Sequence, residues 1–230
     1  HYSRLHHIFE RVARKHTVHV LWFRLNQWRT TPRKTSAVLH EVPALSTRDF
    51  STYYLINAPA IAEQLRQLFS RHEIDLVISA NPLPGLIAAH LAKAARIPFI
   101  VDYSDHFPES AAVYYKNTML REVVRNSVKS MMRPSLQIAT KIVVVSNSAR
   151  KLVAEEYGLE ATKIVHIPNG VDLTRFRPRT REQALAELGE LASAFNRSSF
   201  NLLYSGTLLP RIDLETPFKA VQRLREEGFD

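Results

Sequence analysis

The chain has 230 residues, 45% hydrophobic and 23% charged, which is ordinary for a soluble protein that buries one sizeable core. It contains no cysteine, which excludes disulfides, thiolate metal ligands and cysteine nucleophiles. The formal net charge of +9 predicts a polyanionic neighbour, either nucleic acid, an anionic membrane surface or a phosphate-bearing substrate, although no nucleic-acid-binding motif is found in the sequence.

Helix-like and strand-like stretches alternate along the chain. Apolar periodicity predicts helices near residues 1–15, 53–72, 83–95, 119–139 and 149–157, and β-branched runs predict strands near 17–23, 37–42, 74–79, 97–102, 141–145 and 163–167. This alternation predicts an α/β domain built on a Rossmann-like, doubly wound parallel sheet. Ligands of such sheets bind beyond the carboxyl ends of the strands, so the loops after Ser79, Val101, Val145 and Ile167 are the expected places for chemistry.

The best-defined unit covers residues 141–172 and predicts a strand, a helix and a second strand that pair in parallel. Ser146 and the two residues after it supply N-cap oxygens, and Gly158 suits the left-handed position at the end of the helix. After the second strand, Pro168-Asn169-Gly170 predicts a turn in which Asn-Gly adopts positive φ.

The composition changes after Pro178, which indicates a second, incomplete domain. Residues 181–191 predict a short helix, residues 192–199 are polar, and a strand at 200–204, a turn at 205–207 and a helix at 216–227 ended by Gly228 follow. We therefore predict a first Rossmann-like domain at 1–192, followed at 193–230 by a linker and the start of a second Rossmann-like domain.

The run VVSNSARKLVAEEYGLEATKIVHIPNGVDLTRFRP resembles the segment that ends the N-terminal domain of retaining, nucleotide-sugar-dependent glycosyltransferases of the GT-B fold (glycosyltransferase family 4, group 1). The resemblance rests on the V-S-x-S strand end, the helix, K-I-x-x-I-P-N-G-V-D and the F-x-P at 176–178. It implies transfer of a hexose from a nucleotide diphosphate sugar to an acceptor hydroxyl, with no metal or other cofactor. The implied acceptor is a glycan or a lipid-linked glycan, in cell-surface polysaccharide or glycolipid synthesis.

The same resemblance implies a first strand and a Gly-rich loop before the helix at 1–15, and a Glu-x7-Glu motif in the second domain. Neither feature is found in this sequence. The chain is therefore expected to be truncated and to have little or no transferase activity alone.

The first candidate site is the loop 101–110, VDYSDHFPES, which follows a buried strand and resembles a D/H-D-x-x-P-E-S loop of the family. Asp105 is the candidate base or acceptor-orienting group, together with Asp102 and with His106, whose type titrates near neutrality. Ser104, where many relatives carry His or Arg, and Glu109 are candidate binding residues. The alternative is a loop whose Asp side chain caps the next helix.

Two more stretches are candidates for binding the donor. Asn169 and Gly170 are placed by the resemblance at the mouth of an interdomain cleft, near the donor phosphates or sugar; the alternative is a plain turn. Gly206 and Thr207 precede a helix whose backbone N–H groups can bind phosphate. Arg211 is expected to substitute for a Lys-Gly pair that many relatives carry.

The helix at 119–139 carries a basic stripe at i, i+4 spacing, formed by Arg121, Arg125, Lys129 and Arg133. Such a stripe can lie on anionic lipid, each cation contributing about 1 kcal/mol near the surface, and the alternative is a solvated helix face. The expected location is the cytoplasm, with the chain peripheral on the cytoplasmic membrane face if the stripe binds lipid.

The histidines do not predict a metal site. His6 and His7 point to different sides of a helix, His16 follows that helix, and His19 lies in a predicted strand with no partner nearby in sequence. Two other classes of function stay open, namely a non-catalytic membrane-associated binding domain and a nucleotide-sugar epimerase of the same fold.

Overall fold

The structure is a computed structural model that describes residues 4–23, 35–45, 53–54, 56–80, 82–174, 176–195, 201–206 and 212–229. It forms two compact units, one at 1–170 and one at 171–230. The limits predicted for the domains from sequence stay a prediction.

Helices and strands alternate through the first unit, as the sequence predicts. They are α1 (Arg4–Val12), β1 (His19–Phe23), β2 (Val38–Val42), α2 (Ala58–Arg71), β3 (Val77–Ser79), α3 (Pro82–Ala94), β4 (Phe99–Tyr103), α4 (Phe107–Ala112), α5 (Thr118–Ile138), β5 (Lys141–Val144), α6 (Asn147–Tyr157), a 3-10 turn (Ala161–Lys163) and β6 (Ile164–His166). No helix among the described residues is long and apolar enough to cross a membrane.

All strand pairs are parallel, which confirms the predicted α/β class. Strands β1 and β2 form one sheet, and the other four strands form a second sheet in the order β3-β4-β5-β6. In the second sheet Val101 of β4 is in register with Ile142 of β5, which is in register with Ile164 of β6. Since the strands run in parallel, the loops after β4 and β6 leave from the same edge of this sheet.

The core lies between the sheet and the helices that cover it. Its largest fully buried side chains include Phe99 of β4, Ile142 of β5, Met132 and Leu136 of α5, and Tyr157 of α6. Helix α3 contributes small residues at its buried positions, such as Ala88, Ala89 and Ala92. An added Cβ at Gly85 would lie 2.8 Å from Ser79 Oγ, so the start of α3 packs closely on β3.

The helix ends confirm part of the predicted cap chemistry. Ser146 Oγ accepts a hydrogen bond from the N–H of Ala149 at the start of α6, and Gly158 takes the left-handed conformation at its end, with φ 63°. The turn predicted at 168–170 is wrong, because no turn is assigned there and neither Asn169 nor Gly170 has a positive φ.

The second unit contains α7 (Arg181–Leu188), a 3-10 turn (Gly189–Ala194) and α8 (Glu215–Glu226). Thr180 and Gln183 form a reciprocal capping box at the start of α7. Residues 201–204, where we predicted a strand, are not assigned as one. Gly228 follows α8 with φ 85°, as predicted for its end.

Candidate functional site

The candidate loop leaves the carboxyl end of β4 and leads into α4. Tyr103, the last residue of the strand, is buried, whereas Ser104 and Asp105 are exposed at the start of the loop. Pro108 is buried in the first turn of α4, where its missing N–H costs no helical hydrogen bond. The strand thus presents two exposed polar side chains at the edge where parallel sheets bind ligands.

Asp105 lies at the centre of this loop. One carboxylate oxygen accepts a hydrogen bond from the backbone N–H of His106 at 2.9 Å, and the other accepts one from the Ser110 hydroxyl at 2.8 Å. These bonds join Asp105 to the residue before α4 and to a side chain within α4, but the N-cap position is His106 and no side-chain cap hydrogen bond forms there. The same two bonds orient a carboxylate that stays exposed to solvent.

His106 is a member of a half-buried polar network, which the sequence did not predict. Its Nδ1 lies 2.9 Å from the Tyr103 hydroxyl, and its Nε2 lies 3.8 Å from Glu156 Oε2 on α6. Lys129 of α5 completes the network, with Nζ 3.1 Å from Glu156 Oε1. Burial, with help from neighbouring hydroxyl and carboxylate groups, raises the pKa of Tyr103 far above its ordinary range, and burial raises the pKa of Tyr157 to about 12.

Asp102 is buried one residue before the end of β4 and meets a residue from the other end of the unit. Its Oδ2 lies 3.3 Å from Nε of Arg4, at the start of α1, and its Oδ1 is buried without a hydrogen-bond partner among the described residues. Burial raises the pKa of Asp102, and the Arg4 guanidinium opposes this shift.

Arg4 also reaches the loop after β6. Its Nη1 donates to the backbone oxygen of Pro168 at 2.9 Å and to Asn169 Oδ1 at 3.3 Å. Two sequence-predicted candidates, Asp102 and Asn169, are therefore joined through a residue that sequence reasoning missed. Gly170 is exposed, and an added Cβ there would meet no described atom within 4 Å, so its lack of a side chain is not required for space.

The four cations of the basic stripe on α5 are half-buried rather than fully exposed. Arg125 pairs with Glu122 and with Glu109, its Nη2 lying 3.0 Å from Glu109 Oε2. Arg121 Nε donates to the backbone oxygen of Tyr115 at 3.3 Å, and the Arg133 guanidinium lies 5.8 Å from the Tyr157 ring centroid. With Lys129 paired to Glu156, each cation of the stripe contacts another group of the unit. Binding of the stripe to anionic lipid stays a prediction.

In the second unit, Gly206 is exposed, whereas Thr207 and Arg211 lie outside the described residues. We predicted that the backbone N–H groups at the start of this helix, α8, bind phosphate. Two of them already bond to a carboxylate, because Asp213 accepts hydrogen bonds from the N–H groups of Glu215 and Thr216. A phosphate bound there would have to compete with Asp213 for these groups.

Three histidines meet beside β1 and β2. Nδ1 of His19 lies 2.9 Å from Nε2 of His40, and the ring centroid of His72, which follows α2, lies 4.2 Å from that of His19. His19 thus has partners that its sequence neighbours do not indicate. No group of three or more His, Asp or Glu side chains in the described part of the chain could hold a metal ion.

A parallel sheet with exposed polar side chains beyond the carboxyl ends of its strands is characteristic of Rossmann-like ligand-binding domains. The sequence profile of glycosyltransferase family 4 matches residues 4–175. The chain therefore belongs to glycosyltransferase family 4, a family of GT-B glycosyltransferases.

Two known proteins are similar to parts of this chain. The UDP-Gal:alpha-D-GlcNAc-diphosphoundecaprenol alpha-1,3-galactosyltransferase of Escherichia coli is 24% identical over 147 residues, which cover 64% of this chain and 35% of that protein. The crystal structure of Anabaena Alr3699/HepE in complex with UDP and glucose matches 67% of this chain and 38% of that chain, with 15% identity and a TM-score of 0.40. The chain thus spans between a third and two fifths of the length of these proteins.

Proposed function

We propose that the chain forms the acceptor-side part of a retaining glycosyltransferase, which moves a hexose from a nucleotide diphosphate sugar to an acceptor hydroxyl. The family match over residues 4–175 carries this proposal. The proposed acceptor is a glycan on a lipid diphosphate, used in polysaccharide or glycolipid synthesis, because the name of the E. coli relative gives an acceptor of that kind. A lipid-linked acceptor would place the reaction at the cytoplasmic face of a membrane.

Asp105 is the proposed acceptor-orienting group and base. Its carboxylate is exposed and is held in one orientation by the His106 N–H and the Ser110 hydroxyl. A carboxylate so placed can accept a hydrogen bond from an acceptor hydroxyl and take its proton as the new glycosidic bond forms. Ser104 precedes it on the loop, and Glu109 lies in α4, where it pairs with Arg125; both are proposed to contact the acceptor.

Asp102 and Arg4 have a positioning role in this proposal. Asp102 is too buried to reach a substrate, and Arg4 links it to the loop of Asn169 and Gly170. This link fixes the loop after β6 beside the end of β4, where the donor is expected to lie. The charge that develops on the leaving diphosphate requires preorganised cations and N–H groups, and these are proposed to come mainly from a second domain.

The test is a transfer assay with radiolabelled UDP-galactose and undecaprenyl diphosphate-linked GlcNAc. It is run on the 230-residue chain and on the longest natural reading frame that contains it. We expect transfer by the longer protein and little or none by the chain alone. Asp105→Asn, which keeps an oxygen for the His106 N–H, should lower kcat about 100-fold.

Glu155→Gln is the matched control, because Glu155 is an exposed carboxylate on α6 outside the candidate loop. It should leave kcat unchanged. Normal transfer by Asp105→Asn would remove Asp105 from the mechanism. Failure of the longer protein to transfer hexose from UDP-galactose, UDP-glucose or any other nucleotide sugar would contradict the proposed function.

A further inference from the structure

A groove of about 700 Å³ opens at the amino-terminal edge of the four-stranded sheet. It lies where β4 begins and where α3 and α5 end, so it is at the opposite edge of the sheet from Asp105. His90, Lys93 and Arg96 line one wall, and Gln137 and Thr140 line the other. Among the residues that the structure describes, no acidic one lines the groove, so its described wall carries an uncompensated positive charge.

The end of α3 does not need these cations as caps. The last carbonyl groups of a helix are often satisfied by basic side chains. Here backbone N–H groups do so: Ala95 donates to Leu91 and Ile97 donates to Ala92 at 2.8 Å, and Arg96 donates to Lys93 through its own backbone. The side chains of Lys93, in the last turn of α3, and of Arg96, just after it, are therefore not required to cap this helix.

The end of α5, which forms the other wall, is also satisfied. The N–H of Ala139 donates to the carbonyl oxygen of Ser135, and Nζ of Lys163 donates to that of Gln137 at 2.6 Å. Lys163 is thus the cation that caps α5. The three basic side chains of the facing wall are left without a role in either helix end.

His90, Lys93 and Arg96 are all exposed, and no hydrogen bond or ion pair joins their side chains to another residue that the structure describes. The stripe on α5 is the opposite case, since each of its cations has a partner within the unit. His90 and Lys93 are three residues apart and share one face of α3. The unpaired basic side chains near this edge of the sheet are therefore those that line the groove.

The backbone of Arg96 gives an independent reason to assign a role to its side chain. Arg96 has φ 58°, and it is the sole residue other than glycine with positive φ in the described ranges. The end of α6 has the same hydrogen-bond pattern, since the N–H of Leu159 donates to Ala154 across Gly158 at φ 63°. At the end of α6 the left-handed position is occupied by glycine, which adopts it without strain. At the groove the same position is occupied by Arg96, which adopts it at a conformational cost.

We propose that this groove binds a phosphate-bearing ligand, with the Arg96 guanidinium and the Lys93 ammonium as its main contacts and His90 as a further donor. A guanidinium matches two phosphate oxygens at once, and an ammonium adds a point charge beside it. The ligand is a free phosphate compound or the phosphate headgroup of a lipid. The proposal concerns the edge of the sheet away from Asp105 and does not depend on the transfer reaction.

The experiment measures binding of two probes at low ionic strength. Inorganic pyrophosphate is titrated into the chain by calorimetry, and vesicles of phosphatidylglycerol or phosphatidylcholine are sedimented with it. The wild type should bind pyrophosphate, phosphatidylglycerol or both. Arg96→Gly and Lys93→Gln should each weaken that binding about tenfold, the effect of losing one charge-assisted contact.

Arg96→Gly also removes the conformational cost at this position, so we expect this variant to stay folded, and its thermal unfolding is measured beside its binding. Lys151→Gln is the matched control, because Lys151 is an exposed lysine on α6 outside the groove and the substitution removes the same charge. Binding of pyrophosphate alone would identify a free phosphate compound, and binding of phosphatidylglycerol alone a lipid headgroup. Absence of both, undiminished binding by Arg96→Gly, or an equal loss in Lys151→Gln would overturn the proposal.

Discussion

The guanidinium of Arg4 contacts the carboxylate of Asp102 across 98 positions of sequence, with Nε 3.3 Å from Oδ2. The Asp102 side chain is 5% exposed and that of Arg4 is 13% exposed. A buried carboxylate is costly unless it is paired, so the Arg4–Asp102 ion pair holds the start of α1 against the carboxyl end of β4. The position of the loop after β6 depends on the same arginine.

Arg4→Met should therefore destabilise the chain strongly, because it keeps much of the apolar stem and leaves Asp102 unpaired. We expect the free energy of unfolding in urea to fall by about 3 kcal/mol. The pKa of Asp102, measured by NMR, should rise further above its ordinary value, since Arg4 is the group that lowers it.

Arg66→Met is the control for Arg4→Met. Arg66 pairs with Glu63 on the surface of α2, where both side chains are more than half exposed, and its loss should cost no more than about 0.5 kcal/mol. An equal loss in the free energy of unfolding for Arg4→Met and Arg66→Met would show that the Arg4–Asp102 pair contributes no more to stability than an exposed pair.

Lys129 provides a second test, which asks whether the basic stripe has a structural role. The Lys129–Glu156 pair is largely buried, with side chains 30% and 15% exposed, whereas the Lys151–Glu155 pair is 78% and 68% exposed. Lys129→Met should lower the free energy of unfolding by about 2 kcal/mol, and Lys151→Met by less than about 0.5 kcal/mol. A Lys129→Met protein as stable as the wild type would contradict the structural role.

The sequence predicted the fold well because the evidence for it is local. The apolar run of β5, the N-cap oxygen of Ser146 and the left-handed Gly158 each act within a few residues, and the structure confirms all three. The strand predicted at 200–204 is a different case, because a strand also needs a ladder partner and composition cannot supply one. The division of the strands into two sheets likewise depends on pairing between distant segments.

The candidate site was predicted less completely, because its partners are distant in sequence. Position after a buried strand, together with the resemblance of residues 101–110 to a loop of the family, selected the loop that holds Asp105. Nothing near Asp102 indicates Arg4, and nothing near His106 indicates Glu156, since these residues meet only when α1 and α6 pack beside β4. The i, i+4 spacing of Arg121, Arg125, Lys129 and Arg133 located the stripe correctly, but periodicity cannot tell a solvent-facing stripe from one whose cations contact other groups of the unit.

The cluster of His19, His40 and His72 should make stability depend on pH. Burial and the charge of His72 lower the pKa of His19 and of His40 from 6.5 in the folded chain. A group with a lower pKa when folded binds fewer protons in that state. Its contribution to stability is therefore complete above its unfolded pKa and is lost as the pH falls.

Urea unfolding at about pH 7.5 and about pH 5 measures this loss. His72→Gln removes a charge that repels protons from His19 and His40, so the loss between the two conditions should be smaller in this variant than in the wild type. His90→Gln, which removes an exposed histidine outside the cluster, should leave the difference unchanged. Equal pH dependence in His72→Gln and the wild type would show that the three rings do not interact.

The two helix ends with the same hydrogen-bond pattern give a matched pair of stability tests. Arg96 at the end of α3 and Gly158 at the end of α6 have φ 58° and 63°. Left-handed backbone costs an L-residue with a Cβ about 1 kcal/mol, so Arg96→Gly should raise the free energy of unfolding by roughly that amount, less the added entropy of the unfolded chain.

Gly158→Ala should lower the free energy of unfolding by about 1 kcal/mol. This cost would be conformational, because an added Cβ at Gly158 meets no atom within 4 Å. Thermal and urea unfolding of both variants measure the two changes. A loss of stability in Arg96→Gly would show that the arginine side chain stabilises the fold itself, so its retention could no longer be explained by ligand binding.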